Sequence, residues 1–334
     1  MPELPEVQTV VNTLRPSLLG RKISAARLLR GDILHPRGTC LEPCLLSRAI
    51  TDIRRRGKKI LIVLSPSPLR RPVASSLPSV LCIHLGMTGR LTLEDPASPL
   101  LPHTHLVVDL ADHVDEDRSA LAPALRARDE KIRGASSLAP ALRGEDRVRG
   151  LAGSVPRVPS NPPPNLQLRF RDPRRFGRIS LLACCEDATR DLGPEPLDIT
   201  PLDLAARLSR TRRAIKTALL DQRLLSGLGN IYADEALFAA GIHPQNPANR
   251  LTIVQVRLLT QCIKRILRRA IRSRGSSFRD YVDANGRAGS FQLFHRVYAR
   301  EGLPCPTCQT PIRRIILSAR SAHFCPHCQP KKRA

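Results

Sequence analysis

From Val7 the apolar residues recur at Val7, Val10, Val11, Leu14 and Leu18, and Gly20 follows as a stop. That three-and-four spacing predicts a helix with one buried face. The period then shortens. Lys22 to Leu29 and Ala49 to Ile53 alternate loosely, as half-buried strands do. Ile60-Leu61-Ile62-Val63-Leu64 is a β-branched run that predicts a buried strand. Val80 to Leu85 is another, ahead of a tight Gly86-Met87-Thr88-Gly89 turn, and Leu91-Thr92-Leu93 and His105 to Leu110 follow. Short strands separated by turns predict a sandwich or a flattened barrel.

Residues 111–165 break this pattern. Leu121-Ala122-Pro123-Ala124-Leu125-Arg126 recurs as Leu138-Ala139-Pro140-Ala141-Leu142-Arg143, no aromatic residue occurs, and 8 acids nearly cancel 9 bases. Such a stretch reads as a duplicated, disordered insertion that has too little apolar area to order itself. Strand character returns at Leu166 to Phe170 and at Arg178 to Leu182, with Asp172-Pro173-Arg174-Arg175-Phe176-Gly177 as the turn between them. An arginine-rich turn with one aromatic can wedge a base step of DNA, or it can be an ordinary exposed turn. Leu192 to Leu197 is a linker by composition. Helical spacing resumes at Leu202 to Leu208, Ala214 to Leu220, Ala233 to Ala240 and Val254 to Ile271. Gly227-Leu228-Gly229-Asn230, just ahead of a helix, offers backbone N–H groups to a phosphate, or simply turns a helical hairpin. Residues 275–294 read as a loop with glycines at 286 and 289.

Charge changes the picture. A net charge of +25 on 334 residues, with a pI near 11.0, points to a polyanion partner, nucleic acid first among them. No apolar run is long enough to span a membrane, and no secretory leader opens the chain. The ten cysteines therefore suggest metal or burial before disulfides. Cys305-Pro306-Thr307-Cys308 and Cys325-Pro326-His327-Cys328 lie sixteen residues apart, which is zinc-knuckle spacing. Four thiolates close one structural Zn2+ site and leave no position open for catalysis. Binding in small zinc peptides is worth roughly 10–16 kcal/mol, so this tail is expected to fold only with its metal.

The opening Met1-Pro2-Glu3-Leu4-Pro5-Glu6 carries the reactive chemistry. With Met1 removed, Pro2 presents a secondary amine that titrates near neutrality and can form an iminium ion with an electrophilic carbon. Glu3 and Glu6 would place two carboxyls beside it for proton transfer. Taken alone, the same residues are an ordinary helix start.

Several stretches together resemble bacterial formamidopyrimidine-DNA glycosylases, enzymes that excise oxidised purines. They are Pro2 to Val7, Arg55-Arg56-Gly57-Lys58, His84 to Gly89, Asp172 to Gly177, Leu192 to Leu197, Gly227 to Tyr232, Ala239 to Pro244 and the four-cysteine tail. The resemblance implies an α+β multidomain fold: an N-terminal helix on a two-sheet antiparallel β-sandwich, a helical domain with a helix–two-turn–helix, and a C-terminal zinc-finger β-hairpin. The expected boundaries are 1–191, 192–300 and 301–334. It implies Pro2 as nucleophile on C1′, Glu3 as proton shuttle, Glu6 as support, and Lys58 near the lesion phosphate, with Lys59 as an alternative. Met87, Arg174 and Phe176 would fill the gap left by an extruded base. His103, Lys216, Asn230 and Arg320 complete the expected DNA contacts, and Cys305, Cys308, Cys325 and Cys328 the zinc ligands.

The implied activity is base excision followed by strand nicking through β,δ-elimination. The expected partner is damaged double-stranded DNA, met by a monomer in the bacterial cytoplasm at the nucleoid, away from membranes. Two other readings fit parts of the sequence. One is the sister class resembling endonuclease VIII, which removes oxidised pyrimidines. The other is a non-catalytic zinc-finger DNA-binding protein, which would need neither the Pro-Glu opening nor Lys58.

Overall fold

The computed structural model describes residues 2–66, 79–113, 165–277 and 281–331. Helix α1 (Leu4–Leu18) has a Pro in its first turn and ends two residues before Gly20, whose φ of +79° suits glycine. Strands β1 (Arg21–Leu28), β7 (Thr104–His113), β8 (Leu166–Arg171) and β6 (Arg90–Glu94) form one sheet in the order β1-β7-β8-β6. The second sheet runs β2-β9-β5-β4-β3, with β2 (Leu34–His35), β9 (Arg178–Leu182), β5 (Val80–His84), β4 (Lys59–Leu64) and β3 (Ile50–Arg56). The one-turn helix α2 (Glu42–Leu45) packs on β1.

All pairings in the two sheets are antiparallel except β2 with β9, where Leu34 and His35 run parallel to Ile179 and Ser180. Apart from this two-residue edge pair, the two sheets form the expected antiparallel sandwich. A 3-10 turn at Gly31–Ile33 delivers the chain to the sheet edge in the direction of β9. The inner faces of both sheets and the apolar stripe of α1 from Val7 to Leu18 share one core.

The helical part comprises α3 (Pro201–Leu208), α4 (Ile215–Leu219), α5 (Asn230–Ala239) and α6 (Ile253–Arg272). Thr200 caps α3 by accepting from Asp203 N, and Thr252 and Gln255 form a capping box on α6. A second core gathers these helices, and it includes Leu4. The finger hairpin, β10 (Arg313–Leu317) and β11 (Arg320–Phe324), stands on a small third core of Phe238, Val297, Cys305, Ile312 and Cys325.

The expected insertion, 111–165, begins inside strand β7, which continues to His113. Residues 114–164 lie outside the described residues. Its attachment points are placed by the sheet. β7 and β8 are neighbours, and their pairing runs from Leu110↔Leu166 to Thr104↔Arg171. The insertion leaves at the Leu110 end, and the Asp172 turn sits at the other, about 17 Å along β8.

Candidate active site

The two large cores meet at the chain's start. Leu4 belongs to the helical core, while Val7 onward belongs to the sandwich core. Pro2 and Glu3, both buried, are therefore held at the seam. Leu4 N donates to Gly227 O at 3.0 Å. A Cβ on Gly227, at φ +81°, would lie 2.9 Å from Leu4 Cδ1. One on Gly229 would lie 2.3 Å from Glu3 Cδ. The glycine turn thus cradles the N-terminal peptide. Its following N–H groups, expected to face a phosphate, point at Glu3 instead: Ile231 N donates to Oε1 at 3.0 Å. Glu3 sits on the N-terminus of α5, where a helix favours negative charge.

Burial outweighs those contacts. It pushes the Glu3 carboxyl up to about 7, against the opposing pull of Lys58, while Glu6 adds to the rise and the Ile231 N–H lowers it. At that value the group both gives and takes a proton at neutral pH. Glu6 is fully engaged. Its Oε2 accepts from Glu3 N at 2.8 Å, and its Oε1 from Tyr232 Oη at 2.5 Å and Ser276 N at 2.7 Å. Ser276 Oγ lies 3.2 Å from His295 Nε2, and Tyr281 Oη donates to Glu6 O at 3.0 Å. Burial lowers His295 to about 4, so the ring is neutral. Tyr232, Ser276, Tyr281 and His295 are support that sequence reasoning passed over. The nearest signal was Tyr232 at the end of the Gly227–Tyr232 stretch.

Lys58, on the β3–β4 turn, is 9% exposed and makes no hydrogen bond or ion pair with a described residue. Burial lowers its pKa, opposed by Glu3 and assisted by Arg320. Lys59 is turned away and donates to Ala188 O at 2.8 Å, which separates the two lysines. The turn is clamped by Glu195, which accepts from Arg55 Nη2, Arg56 Nη1 and Gly57 N at 2.6, 2.7 and 2.7 Å.

Met87, His103, Arg174 and Phe176 gather around buried Asp172. Asp172 Oδ1 accepts from Thr88 Oγ1, its Oδ2 from Gly177 N, and its N donates to His103 O. A Cβ on Gly86 would fall 2.4 Å from Gly177 N, so glycine there lets the two turns touch backbone to backbone. Met87 and Phe176 are left 41% and 50% exposed, and the Arg174 guanidinium stacks 4.9 Å from the Phe176 ring. Exposed apolar side chains braced by a cation suit insertion into a base stack.

Asn230 opens α5. Its Nδ2 donates to Ser321 Oγ at 3.2 Å, and its buried Oδ1 has no partner. Exchanging the amide's two ends keeps the Ser321 bond and turns the vacant position into a donor for a phosphate. Arg320, exposed at the start of β11, precedes Ser321 in sequence and influences Lys58 electrostatically. Lys216 corrects the expectation. It is 0% exposed, and its Nζ donates to Asp234 and to the Ser321 carbonyl. It pins the finger hairpin and does not reach for a phosphate.

The Sγ atoms of Cys305, Cys308, Cys325 and Cys328 all lie within 4.8 Å of one another, three of the pairs at 3.4 to 3.8 Å. A tetrahedron with Zn–S bonds near 2.3 Å has edges of about 3.8 Å, so the four thiolates fit one zinc. His323 is committed elsewhere: its N and Nδ1 both meet Asp234 Oδ2. Glu235, next on α5, accepts from the backbone N–H groups of Arg296, Val297 and Tyr298.

Comparison with known proteins agrees with this geometry. The formamidopyrimidine-DNA glycosylase N-terminal domain matches residues 1–122, and the H2TH domain of the same enzymes matches 192–282. A zinc finger found in FPG and IleRS matches 302–331. The formamidopyrimidine-DNA glycosylase of Solibacter usitatus is 40% identical, across 99% of this chain and 100% of the relative. Crystal structures of the Lactococcus lactis enzyme are 28% identical, each with a TM-score of 0.74. One, a mutant bound to DNA containing Fapy-dG, covers 99% of this chain and 100% of its own. The other, bound to DNA containing an abasic site, covers 98% and 100%.

Proposed function

Because the chain belongs to the formamidopyrimidine-DNA glycosylase family, we propose that Pro2, freed of Met1, is the nucleophile that attacks C1′ of a damaged nucleotide. The protein is a base-excision repair glycosylase acting on oxidised purines and abasic sites in DNA. The observation that carries the residue assignment is the burial of Pro2 and Glu3 at the seam of two cores, with Glu3 poised near neutrality on a helix N-terminus.

As the N–C1′ bond forms, the glycosidic bond breaks and its electron pair leaves with the base, which takes up the proton that the Pro2 nitrogen gives up. Protonated Glu3 gives its proton to the sugar ring oxygen, which opens the ring and leaves an iminium ion. The iminium acidifies the C2′ proton. Its removal expels the 3′ phosphate, and a second elimination expels the 5′ phosphate. Glu3, now ionised, is the nearest carboxylate to accept protons in these steps. Lys58, unpaired and buried, binds the phosphate beside the lesion. Met87, Arg174 and Phe176 fill the vacated stack and offset the few kcal/mol that extrusion costs. Asn230 and Arg320 hold flanking phosphates, and His103 contacts the backbone from beside the Asp172 turn.

The thiolates of Cys305, Cys308, Cys325 and Cys328 hold the zinc, which cross-links the finger. We read the domains as 1–191, 192–300 and 301–334. On this reading the protein acts as a monomer at the nucleoid in the bacterial cytoplasm. No helix among the described residues is long and apolar enough to cross a membrane.

Borohydride trapping on two duplexes tests this. One carries 8-oxoguanine opposite cytosine and the other an oxidised pyrimidine. The expected result is strong trapping on the first, with the cross-link mapped to Pro2. Trapping mainly on the second assigns the sister specificity. Binding to both without trapping removes the amine mechanism.

A further inference from the structure

One face of α6 is unused by the site. Its buried side, Val256, Leu259, Cys262, Ile263, Leu267 and Ala270, packs into the helical core, where α6 meets α1, α3 and α5. Its outer side carries Arg257, Lys264, Arg265, Arg268, Arg269 and Arg272, and all but Lys264 are exposed. The helix contains no acidic residue. None of the six makes an ion pair with a described residue. Lys264 with Arg268, Arg265 with Arg269, and Arg268 with Arg272 are like charges four apart, a spacing at which cations repel. A helix that needed only a solvated face would intersperse acids. A row of cations with no acid among them is what a line of phosphates neutralises.

The row runs from Arg257 to Arg272, about 22 Å along the axis. That is roughly two thirds of a duplex turn. The row lies on the side of α6 opposite the residues that pack against α1 and α5, so we take a duplex lying on it to be a second one. The chemistry favours duplex over single-stranded DNA. Single strands need aromatic platforms for their bases. Phe294 is the aromatic ring at this face among the described residues, and Arg269 covers it at 4.1 Å. The exposed apolar residues of α6 are Ile253, Val254 and Leu258, all in its first two turns and apart from the cations between Lys264 and Arg272, so they do not form the continuous apolar face that a membrane surface needs.

We propose that the outer face of α6 is a second binding surface for duplex DNA. It holds the backbone of an undamaged segment while the cleft is engaged, so that the protein passes directly from one segment to another. The proposal takes the identity of the polyanion from the repair reading and uses none of the catalytic residues.

The test uses the full-length, zinc-loaded protein and the triple variant Arg265→Gln, Arg268→Gln, Arg272→Gln. Protein bound to a labelled undamaged duplex is chased with unlabelled duplex at rising concentration. For the wild type the dissociation rate rises with competitor concentration. For the variant this dependence falls about tenfold, given the steep dependence of DNA affinity on each phosphate contact. Single-turnover excision at saturating enzyme is unchanged. A wild-type rate independent of competitor overturns the proposal, as does a variant that transfers normally. A variant that loses excision together with transfer also overturns it, because the row then belongs to the cleft. Anionic lipid vesicles that chase as well as duplex DNA would overturn the assignment to DNA. The transfer measurement uses undamaged DNA, so a failure of borohydride trapping leaves it intact and tells the two readings apart.

Discussion

Replacing Glu3 by Gln should make the stability difference from wild type depend on pH in a way set by one buried carboxyl. In the folded protein Glu3 keeps its proton up to about 7, chiefly because it is buried, against an ordinary value of 4.5. A raised carboxyl value means that the folded state binds the proton more tightly than the unfolded chain. Its favourable contribution is complete below pH 4.5 and is lost as pH rises from 4.5 to 7, beyond which the deficit is constant. With about 1.4 kcal/mol per pH unit, the full span is about 3 kcal/mol, of which about 2.5 kcal/mol falls between pH 5 and pH 8. Gln carries no such titration. It still offers an oxygen to the Ile231 N–H, though its amide loses the acceptor near Tyr232 N, a fixed cost of about 1 kcal/mol. Urea unfolding of zinc-loaded wild type and E3Q at pH 5, 6, 7 and 8 reads the difference directly. E3Q should gain on wild type by about 2.5 kcal/mol from pH 5 to pH 8, while losing base excision because an amide cannot carry the proton. A difference that stays flat across those pH values would refute the reasoning, since Glu3 would then titrate alike in both states.

Gly229→Ala places a Cβ 2.3 Å from Glu3 Cδ. Displacing the carboxyl by about 1 Å should cut single-turnover excision about a hundredfold, with affinity for undamaged DNA unchanged in a gel-shift titration. Cys325→Ser removes one of four zinc thiolates, so elemental analysis should find no zinc and DNA affinity should collapse with the finger. Ser318 and Ala319 form the two-residue turn of the β10–β11 hairpin at φ +47° and +60°. Ala319→Gly should therefore slow zinc release to a chelator and raise finger stability by about 1 kcal/mol. Replacing residues 114–164 by a short turn should leave excision within about twofold. The flanking strands pair at the Leu110–Leu166 end, away from Met87 and Phe176, and the entropy of closing a connection changes only slowly with its length.

The elements of this fold were legible because their signals are local. The stripe from Val7 to Leu18, the run Ile60 to Leu64 and the paired Cys-x-x-Cys knuckles each declare themselves within a few residues. What escaped acts across long separations. The turn at Gly227 to Asn230 looked like a phosphate cradle because its free N–H groups are visible in sequence; that Glu3, more than 220 residues away, would occupy them is not. Lys216 looked like a surface cation until α5 and β11 closed over it and supplied Asp234 and the Ser321 carbonyl. Glu195 reads as a linker residue, yet it holds Arg55, Arg56 and Gly57. The resemblance to a known family supplied names for the wedge residues; the fold supplied the reason they meet, which is buried Asp172.

Helix α5 has a consequence for how damage to the protein itself is felt. Its first turn receives Glu3, and five residues on, about 7.5 Å along the same rod, Asp234 and Glu235 grasp the segment that carries the metal. So short a helix cannot yield at one end alone. Oxidants attack thiolates. Thus the stress that creates oxidised bases also threatens the clasp that keeps this helix in register. One short helix thus joins the zinc-bearing hairpin, through Asp234 and His323, to the catalytic acid, through the Ile231 N–H and Glu3.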